Sequence, residues 1–300
     1  MEFNKKEIYR IIIYSLNQAR KWSIWKWLLL SSIGALSGTL QFGEKFFNLE
    51  PKRSILYAII VIIFLYSIRF FLIFFKESLK YYHEVYKNST YGDAIIILKD
   101  CFAEIHYYRK TDGFQEDEFV KSMMIFCNNL KTIFDKITNS NCSVSIKVPV
   151  GHEKVIENTV LRNLTRDNSH KTRDTEEYSK IKHTINGNTA FNNTFNKVIT
   201  NNSQKFYINN SVNKTEEYLN TSKECYKNGI LPYNSELVHS ISPQKTKDAL
   251  NFDCHGFLCV DSDVEDAFDK KYCTSIVEGV CDGIYDLILE LNKNKNGIND

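Results

Sequence analysis

The sequence predicts an α+β protein in two parts: an N-terminal transmembrane helical hairpin, then a cytosolic domain with an antiparallel sheet and flanking helices. Two long apolar segments occupy the first quarter of the chain. Residues 1–87 carry 13 basic and 6 acidic side chains, whereas residues 88–300 carry 25 and 30, so the two parts differ in charge. The later part alternates short apolar runs with polar loops and closes with an amphipathic helix, which favours an α+β fold.

Residues 1–23 are predicted to form an interfacial amphipathic helix. Lys5, Lys6 and Arg10 accompany Ile8 and Ile12 in this segment. A basic helix with an apolar face lies in the headgroup region of a membrane. A short soluble helix packed on the later domain is the alternative.

The first membrane span is predicted at about residues 24–47. All three tryptophans, Trp22, Trp25 and Trp27, cluster at its start, as in an aromatic interfacial belt. Gly34 and Gly38 form a small-xxx-small pair that lets another helix approach closely. That helix is either the second span or a neighbouring protomer, and we expect a homo-oligomer.

The second span is predicted at residues 55–75, about 31 Å of helix and enough to cross the hydrocarbon of a bilayer. Arg69 is its one charge. Two functions are open for this side chain: it extends to the headgroups along its own stem, or it lines a pore and acts in gating.

Basic residues are more numerous on the outer flanks of the residue 24–75 hairpin than in its turn, which predicts that both termini are cytoplasmic. We therefore expect a multi-pass protein of the inner (cytoplasmic) membrane, where it interacts with the lipid bilayer.

A helical connector is predicted over residues 76–140, with helices at 92–109 and 115–138. Strands follow at 143–150 and 160–165, a short helix at 188–200, and further strands at 206–208, 236–241 and 256–260. The last helix has the clearest periodicity, because apolar residues recur at i, i+3, i+4 and i+7 from Cys273 to Leu291. This order favours an antiparallel sheet with its helices on one side, and a polar tail at 293–300.

Residues 141–292 resemble a bacterial GAF domain, a sheet-and-helix sensor fold. The resemblance rests on four stretches and covers about half the chain: VLRNLTRD from Val160, NTAF from Asn188, LPYNSELV from Leu231, and GFLCVDS from Gly256 before the last helix. The third of these follows a polar segment, and the fourth is the most specific. None is a catalytic signature.

The resemblance implies a small-molecule or nucleotide ligand between the sheet and a covering layer formed by residues 186–230. Four aromatic residues are candidates for the wall of that pocket, although an ordinary core role is the alternative: Phe191, Phe195, Phe206 and Tyr207. The cyclic-nucleotide signature of the family has no convincing continuation after Asn196-Lys197.

Other chemistry is weakly represented. Cys254, His255 and Cys259 are weak metal-ligand candidates, since a zinc site needs a fourth ligand and no C-x-x-C pair is present. We expect neither a metal nor a cofactor, and most cysteines are expected to be small buried side chains. The motifs of nucleotide hydrolysis, dinucleotide binding and serine hydrolysis are missing, so a non-enzymatic protein is expected. A net charge of +2 gives no indication of direct nucleic-acid binding.

The sequence therefore predicts a membrane-anchored, non-enzymatic cytosolic sensor that passes its ligand state to its membrane helices or to a partner. Two alternatives remain. One is a ligand-gated effector of bacterial defence that permeabilises the membrane, and the other is a membrane scaffold without a ligand.

Overall fold

The structure is a computed structural model that describes residues 51–111, 115–151, 154–175, 180–243 and 253–295, with scattered positions between 9 and 38. Its contacts divide into two compact units, Met1–Ser89 and Thr90–Asp300. The two units are described separately below.

The first unit contains most of a long helix, α1, which extends from Pro51 to Arg109. The apolar part of α1 has no buried residue, and the helix is long and apolar enough to cross a membrane. The predicted second span lies within it, and Arg69 is exposed there. The predicted helix at 92–109 is the final part of the same helix.

The predicted first span and the residue 1–23 helix lie largely outside the described residues. Gly34 and Gly38 are described as helical and exposed, and a Cβ added at either would meet no atom within 4 Å. The two-helix hairpin therefore stays a prediction.

The second unit is built on one six-stranded sheet. Its strands are β1 (Cys142–Pro149), β2 (Val160–Arg166), β3 (His183–Thr184), β4 (Phe206–Asn209), β5 (Ser235–Ser240) and β6 (Phe257–Ser262). The order across the sheet is β3-β2-β1-β6-β5-β4, and every neighbouring pair is antiparallel. The prediction of an α+β fold with an antiparallel sheet is confirmed.

One face of the sheet packs on helices α2 (Glu116–Thr138) and α4 (Tyr272–Lys295) and on the last part of α1. Phe126 and Leu130 of α2 and Val277 of α4 are fully buried here. Burial of each such side chain contributes about 1.5–3 kcal/mol. Helix α2 begins as its acidic first turn predicts, and the Glu118 side chain accepts a hydrogen bond from the Gln115 amide at 3.3 Å.

The other face of the sheet is covered by α3 (Thr189–Ile199) and by residues 210–234, which form a series of 3-10 turns. We call α3 and residues 210–234 the covering layer. The expectation of helices on one side of the sheet is therefore wrong. Phe191 and Phe195 of α3 pack on Val238 and Phe257 in a second apolar cluster, so the sheet is buried on both faces.

The turn into β6 depends on Gly256, which has φ +150. A Cβ at this position would lie 2.2 Å from the carbonyl oxygen of Lys147. We expect Gly256→Ala to lower the unfolding free energy by more than about 2 kcal/mol, because backbone strain and a backbone clash add.

Gly92→Ala provides the matched control. Gly92 lies in α1 with no atom within 4 Å of the added Cβ, so alanine should be neutral or stabilising by up to about 1 kcal/mol. Thermal unfolding of both full-length variants in detergent micelles measures the difference. Equal stability of the two variants would contradict the role given to Gly256.

Candidate functional site

The covered face of the sheet presents polar side chains from its four central strands. Cross-strand partners point to the same face of a sheet. Ser145 is the partner of both Arg166 and Cys259, and Asp261 is the partner of both Ser143 and Glu236. Side chains at every second position therefore form a floor, which is Ser143, Ser145, Lys147, Arg166, Glu236, Val238, Ser240, Phe257, Cys259 and Asp261.

A cavity of about 40 Å³ lies between this floor and the covering layer. That volume accommodates two or three water molecules. A larger ligand requires the covering layer to move. The cavity is lined by residues of the sheet, of the covering layer and of the residue 168–173 turn. These are Ser145, Lys147, Arg166, Arg173, Asn188, Phe191, Asn220, Ser222, Tyr226, Tyr233, Glu236, Cys259 and Asp261.

The cavity wall contains charged side chains that are removed from solvent. Lys147 is 6% exposed, Arg166 5% and Glu236 5%. Two ion pairs balance part of this charge: Arg173 Nη1 lies 2.7 Å from Asp261 Oδ1, and Arg166 Nε lies 3.1 Å from Asp174 Oδ1. Removal of a charged side chain from water costs several kcal/mol, and an ion pair or hydrogen bonds offset only part of that desolvation. Charged residues in this wall therefore lower the stability of the fold relative to apolar residues.

Glu236 is held by a donor chain that starts in the covering layer. The Asn220 side-chain amide donates to the hydroxyl of Tyr218 at 3.3 Å and to that of Tyr233 at 2.9 Å. Tyr218 then donates to Glu236 Oε2 in a short hydrogen bond, and Tyr233 donates to Oε1 at 3.5 Å. Each carboxylate oxygen of Glu236 thus accepts a hydrogen bond from one phenol, and these bonds connect the covering layer to the floor.

The pKa of Glu236 is raised to about 7, mainly by burial and also by the neighbouring Asp261 carboxylate, whereas the hydrogen bonds from Tyr218 and Tyr233 and the charge of Lys147 act in the opposite direction. The carboxyl therefore changes its charge near neutral pH. Burial and the Glu236 charge raise the pKa of Tyr218 well above its usual value, so its hydroxyl remains a donor.

Residues 210–234 of the covering layer are held mainly by hydrogen bonds, whereas α3 packs on the sheet through the apolar cluster of Phe191 and Phe195. Asn188 donates to the carbonyl of Thr184 at 2.7 Å and accepts from the amide of Thr221 at 3.1 Å. The apolar cluster of residues 210–234 is small and consists of Val212, Tyr218, Leu231 and Tyr233. Segments with few buried apolar contacts open at a lower free energy than core elements, so residues 210–234 are better suited to move than α3 or the helices behind the sheet.

The aromatic residues predicted for the pocket are only partly brought together. Phe191 lines the cavity, its ring lies 5.0 Å from that of Phe257, and Phe195 belongs to the same apolar cluster. Tyr207 does not line the cavity, but its ring lies 6.5 Å from that of Tyr218, which bonds to Glu236. Phe206 belongs to the apolar core on the opposite face, so it does not line this cavity.

The charged residues of the site were not identified from the sequence. Lys147, Glu236 and Asp261 lie in short strands in which polar and apolar residues are mixed. That pattern is typical of a solvent-exposed face, and only the covering layer turns it into a buried one. The signal that was available in the sequence is a charged residue in each of three strands, Lys147, Glu236 and Asp261, which the register of the sheet places on one face.

The weak metal candidates are not assembled into a site. Cys254 and Cys259 belong to the apolar cluster under α3, whereas the His255 ring lies 5.4 Å from the ring of Tyr285 in α4. Within the described ranges, no three His, Cys, Asp or Glu side chains are grouped to bind a metal ion. Burial raises the pKa of the Cys259 thiol to about 12, so it is protonated at neutral pH.

No family model and no curated protein matches the chain. The solved structures similar to it include the GAF domain of an Acinetobacter phosphoenolpyruvate-protein phosphotransferase, with 10% identity, 68% of this chain and 96% of that chain covered, and a TM-score of 0.41. A GAF domain region from Geobacter sulfurreducens has 13% identity, 58% and 97% coverage, and a TM-score of 0.37. A type II free methionine-R-sulfoxide reductase from Thermoplasma acidophilum has 16% identity, 58% and 95% coverage, and a TM-score of 0.37. At these scores the likeness carries no argument about ligand or activity.

The expectation of a non-enzymatic protein requires correction. The similar structures include three free methionine-R-sulfoxide reductases, which are enzymes: those from Thermoplasma acidophilum, Staphylococcus aureus and Neisseria meningitidis, at 16%, 11% and 10% identity. The absence of a catalytic motif therefore does not exclude catalysis on such a fold. Fold alone does not establish an activity either.

The raised pKa of Glu236 predicts a specific pH dependence of stability. Below about pH 4.5 the carboxyl is neutral in both the folded and unfolded states, so the stabilisation of its neutral form is fully present. Between about pH 4.5 and pH 7 the unfolded chain ionises this carboxyl while the folded protein keeps it protonated, so the unfolding free energy falls by about 3 kcal/mol and this component levels off above pH 7. Glu236→Gln should remove this component of the decrease.

Thermal unfolding of the full-length protein between pH 5 and pH 8 tests this prediction. Glu216→Gln, an exposed position in the covering layer, is the control and should keep the wild-type dependence. Parallel pH profiles for wild type and Glu236→Gln would show that Glu236 does not titrate in this range.

Proposed function

We propose that the protein is a membrane-anchored sensor whose GAF-like second unit binds a small polar molecule in the cavity between the sheet and the covering layer. The observation that supports this proposal is the presence of buried charged side chains in the cavity wall, above all Lys147, Arg166 and Glu236. An apolar floor would stabilise the fold at a lower desolvation cost. Charges retained at this cost are better explained by recognition of a polar ligand.

The covering layer supplies the mechanism of sensing. The cavity is too small for most metabolites, so ligand entry requires the layer to open and rebind around the ligand. A ligand that prefers one of these arrangements shifts the equilibrium between them. The membrane segment or a partner protein then responds to the arrangement that the ligand stabilises.

We further propose that α1 anchors the protein in the inner (cytoplasmic) membrane, together with the predicted first span. Phe64, Leu72 and Phe75 are 63%, 66% and 60% exposed. Apolar exposure of this extent along a helix is typical of a surface that contacts lipid. The effector and scaffold alternatives are not favoured by any feature of the described residues.

A ligand screen tests the sensor function. Full-length protein in detergent micelles is screened by thermal shift against amino acids, amines, short carboxylates and nucleoside monophosphates. We expect at least one compound to stabilise the protein, and Lys147→Met to weaken its binding by about tenfold or more, because a charged hydrogen-bonding partner is lost.

Lys214→Met is the matched control, since Lys214 lies in the covering layer but pairs with Glu265 on the outside. Its ligand affinity should equal that of the wild type. Equal loss of affinity in both variants, or no stabilising compound in the screen, would contradict a ligand site in this cavity.

Membrane anchoring has its own test. After ultracentrifugation without detergent, the full-length protein should be in the pellet and should stay there through an alkaline carbonate wash. A reporter that works only in the cytoplasm should be active when it is fused behind Asp300, and a reporter that works only outside the cytoplasm should be inactive there. Recovery of the chain in the supernatant would exclude the anchor, and an externally active reporter would reverse the orientation.

A further inference from the structure

Glu236 differs from the other charged residues of the cavity in how its charge is balanced. Asp261 has Arg173 as its ion-pair partner, and Arg166 has Asp174. Within the part of the chain that the structure describes, no lysine, arginine or histidine nitrogen lies within 4.0 Å of a Glu236 oxygen. Its carboxylate accepts hydrogen bonds from the Tyr218 and Tyr233 hydroxyls, and Lys147 stabilises its negative charge without forming an ion pair with it.

The two phenols leave a defined part of the carboxylate open. Tyr218 occupies one acceptor position on Oε2 and Tyr233 one on Oε1. A carboxylate oxygen has two acceptor positions, so one remains on each oxygen. Both phenols are fixed by Asn220, and therefore the carboxylate is held in one orientation at the cavity wall.

We infer that the ligand of this cavity carries a cationic nitrogen with at least two N–H donors, a primary ammonium or an amidinium group, which binds the Glu236 carboxylate. This inference rests on the proposed function, because it assigns the ligand class of the same cavity. Such a group satisfies both open acceptor positions and supplies the missing counter-charge in one step.

Binding of this group is coupled to a proton. In the ligand-free protein the carboxyl has a pKa of about 7, so near neutral pH a fraction of the molecules holds a proton there. An ammonium group binds the ionised form and displaces that proton to solvent. The other ionisable groups that face the cavity are Lys147 on β1, Arg166 on β2, Arg173, Tyr218, Tyr226 and Tyr233 in the surrounding turns, and Cys259 and Asp261 on β6.

Methylammonium and acetamidinium are suitable probes because both are small enough for the cavity. Tetramethylammonium carries the charge without N–H donors, and acetate carries the opposite charge. The affinity of each is measured by thermal shift of the full-length protein in micelles at constant ionic strength. We expect binding of the two N–H cations only, with an affinity for methylammonium about tenfold higher at pH 8 than at pH 6, because the ionised fraction of Glu236 rises by that factor.

Two variants separate recognition from a structural role. Glu236→Gln should weaken methylammonium binding by about 10- to 100-fold and abolish its pH dependence. Tyr218→Phe removes one donor to the carboxylate, so it should keep binding but move the pH dependence to higher pH.

Equal affinity for methylammonium and tetramethylammonium, unchanged binding in Glu236→Gln, or no binding of either N–H cation to the wild type would each overturn the inference. These outcomes are distinct from failure of the proposed function. If the metabolite screen finds only anions and their binding depends on Lys147, the cavity remains a ligand site and only the cationic ligand class is wrong.

Discussion

The cost of burying charge on one face of the sheet governs the rest of the second unit. The opposite face is apolar and packs on α2 and α4 by ordinary hydrophobic contact. The covered face carries Lys147, Glu236 and Asp261, each less than 9% exposed. Such groups are tolerated only where hydrogen bonds and counter-charges satisfy them. The covering layer supplies the phenol donors to Glu236, and the residue 168–173 turn supplies Arg173 to Asp261.

The covering layer meets this requirement with side chains from irregular segments. Asn220 and Tyr218 lie in or beside short 3-10 turns, where asparagine and serine bond readily to nearby backbone groups. Each of these partners contributes only about 1 kcal/mol, in contrast to the large apolar burial on the other face. The same arrangement therefore satisfies the buried charges and leaves the layer easier to open than the helices behind the sheet.

Sequence periodicity predicted the elements whose environment is apolar. Helices α2 and α4 and strands β1 and β6 are found within a few residues of the predicted bounds, because their apolar residues recur at helical spacing, alternate along a strand or form a short continuous run. The two-residue strand β3 was missed, since His183 and Thr184 carry no pattern of their own. The order of elements favoured helices on one side only, whereas α3 lies on the face opposite α2 and α4, because an amphipathic pattern identifies a buried helix face but not which sheet face it covers.

The candidate site was predictable to a smaller extent for a related reason. Phe191 was identified because the resemblance to GAF domains implies a pocket covered by residues 186–230, which include its helix. Phe206 is adjacent to Tyr207 in β4, and neighbouring strand residues point to opposite faces, so only one of the two could face the cavity. The floor itself depends on cross-strand register, which joins residues as distant in sequence as Lys147 and Glu236. Register is a property of the folded sheet, and one sequence does not specify it.

The titration of Glu236 and the motion of the covering layer are thermodynamically linked. In the closed arrangement its carboxyl has a pKa of about 7, whereas contact with water returns the pKa toward 4.5. Rising pH therefore favours the open arrangement, by up to about 3 kcal/mol once the carboxyl is ionised. A cationic ligand cancels the buried charge and favours closure, so it opposes the effect of pH by a comparable amount. A difference of this size changes the ratio of two states by about 100-fold, which is sufficient for a sensor in which proton and ligand act on one carboxylate.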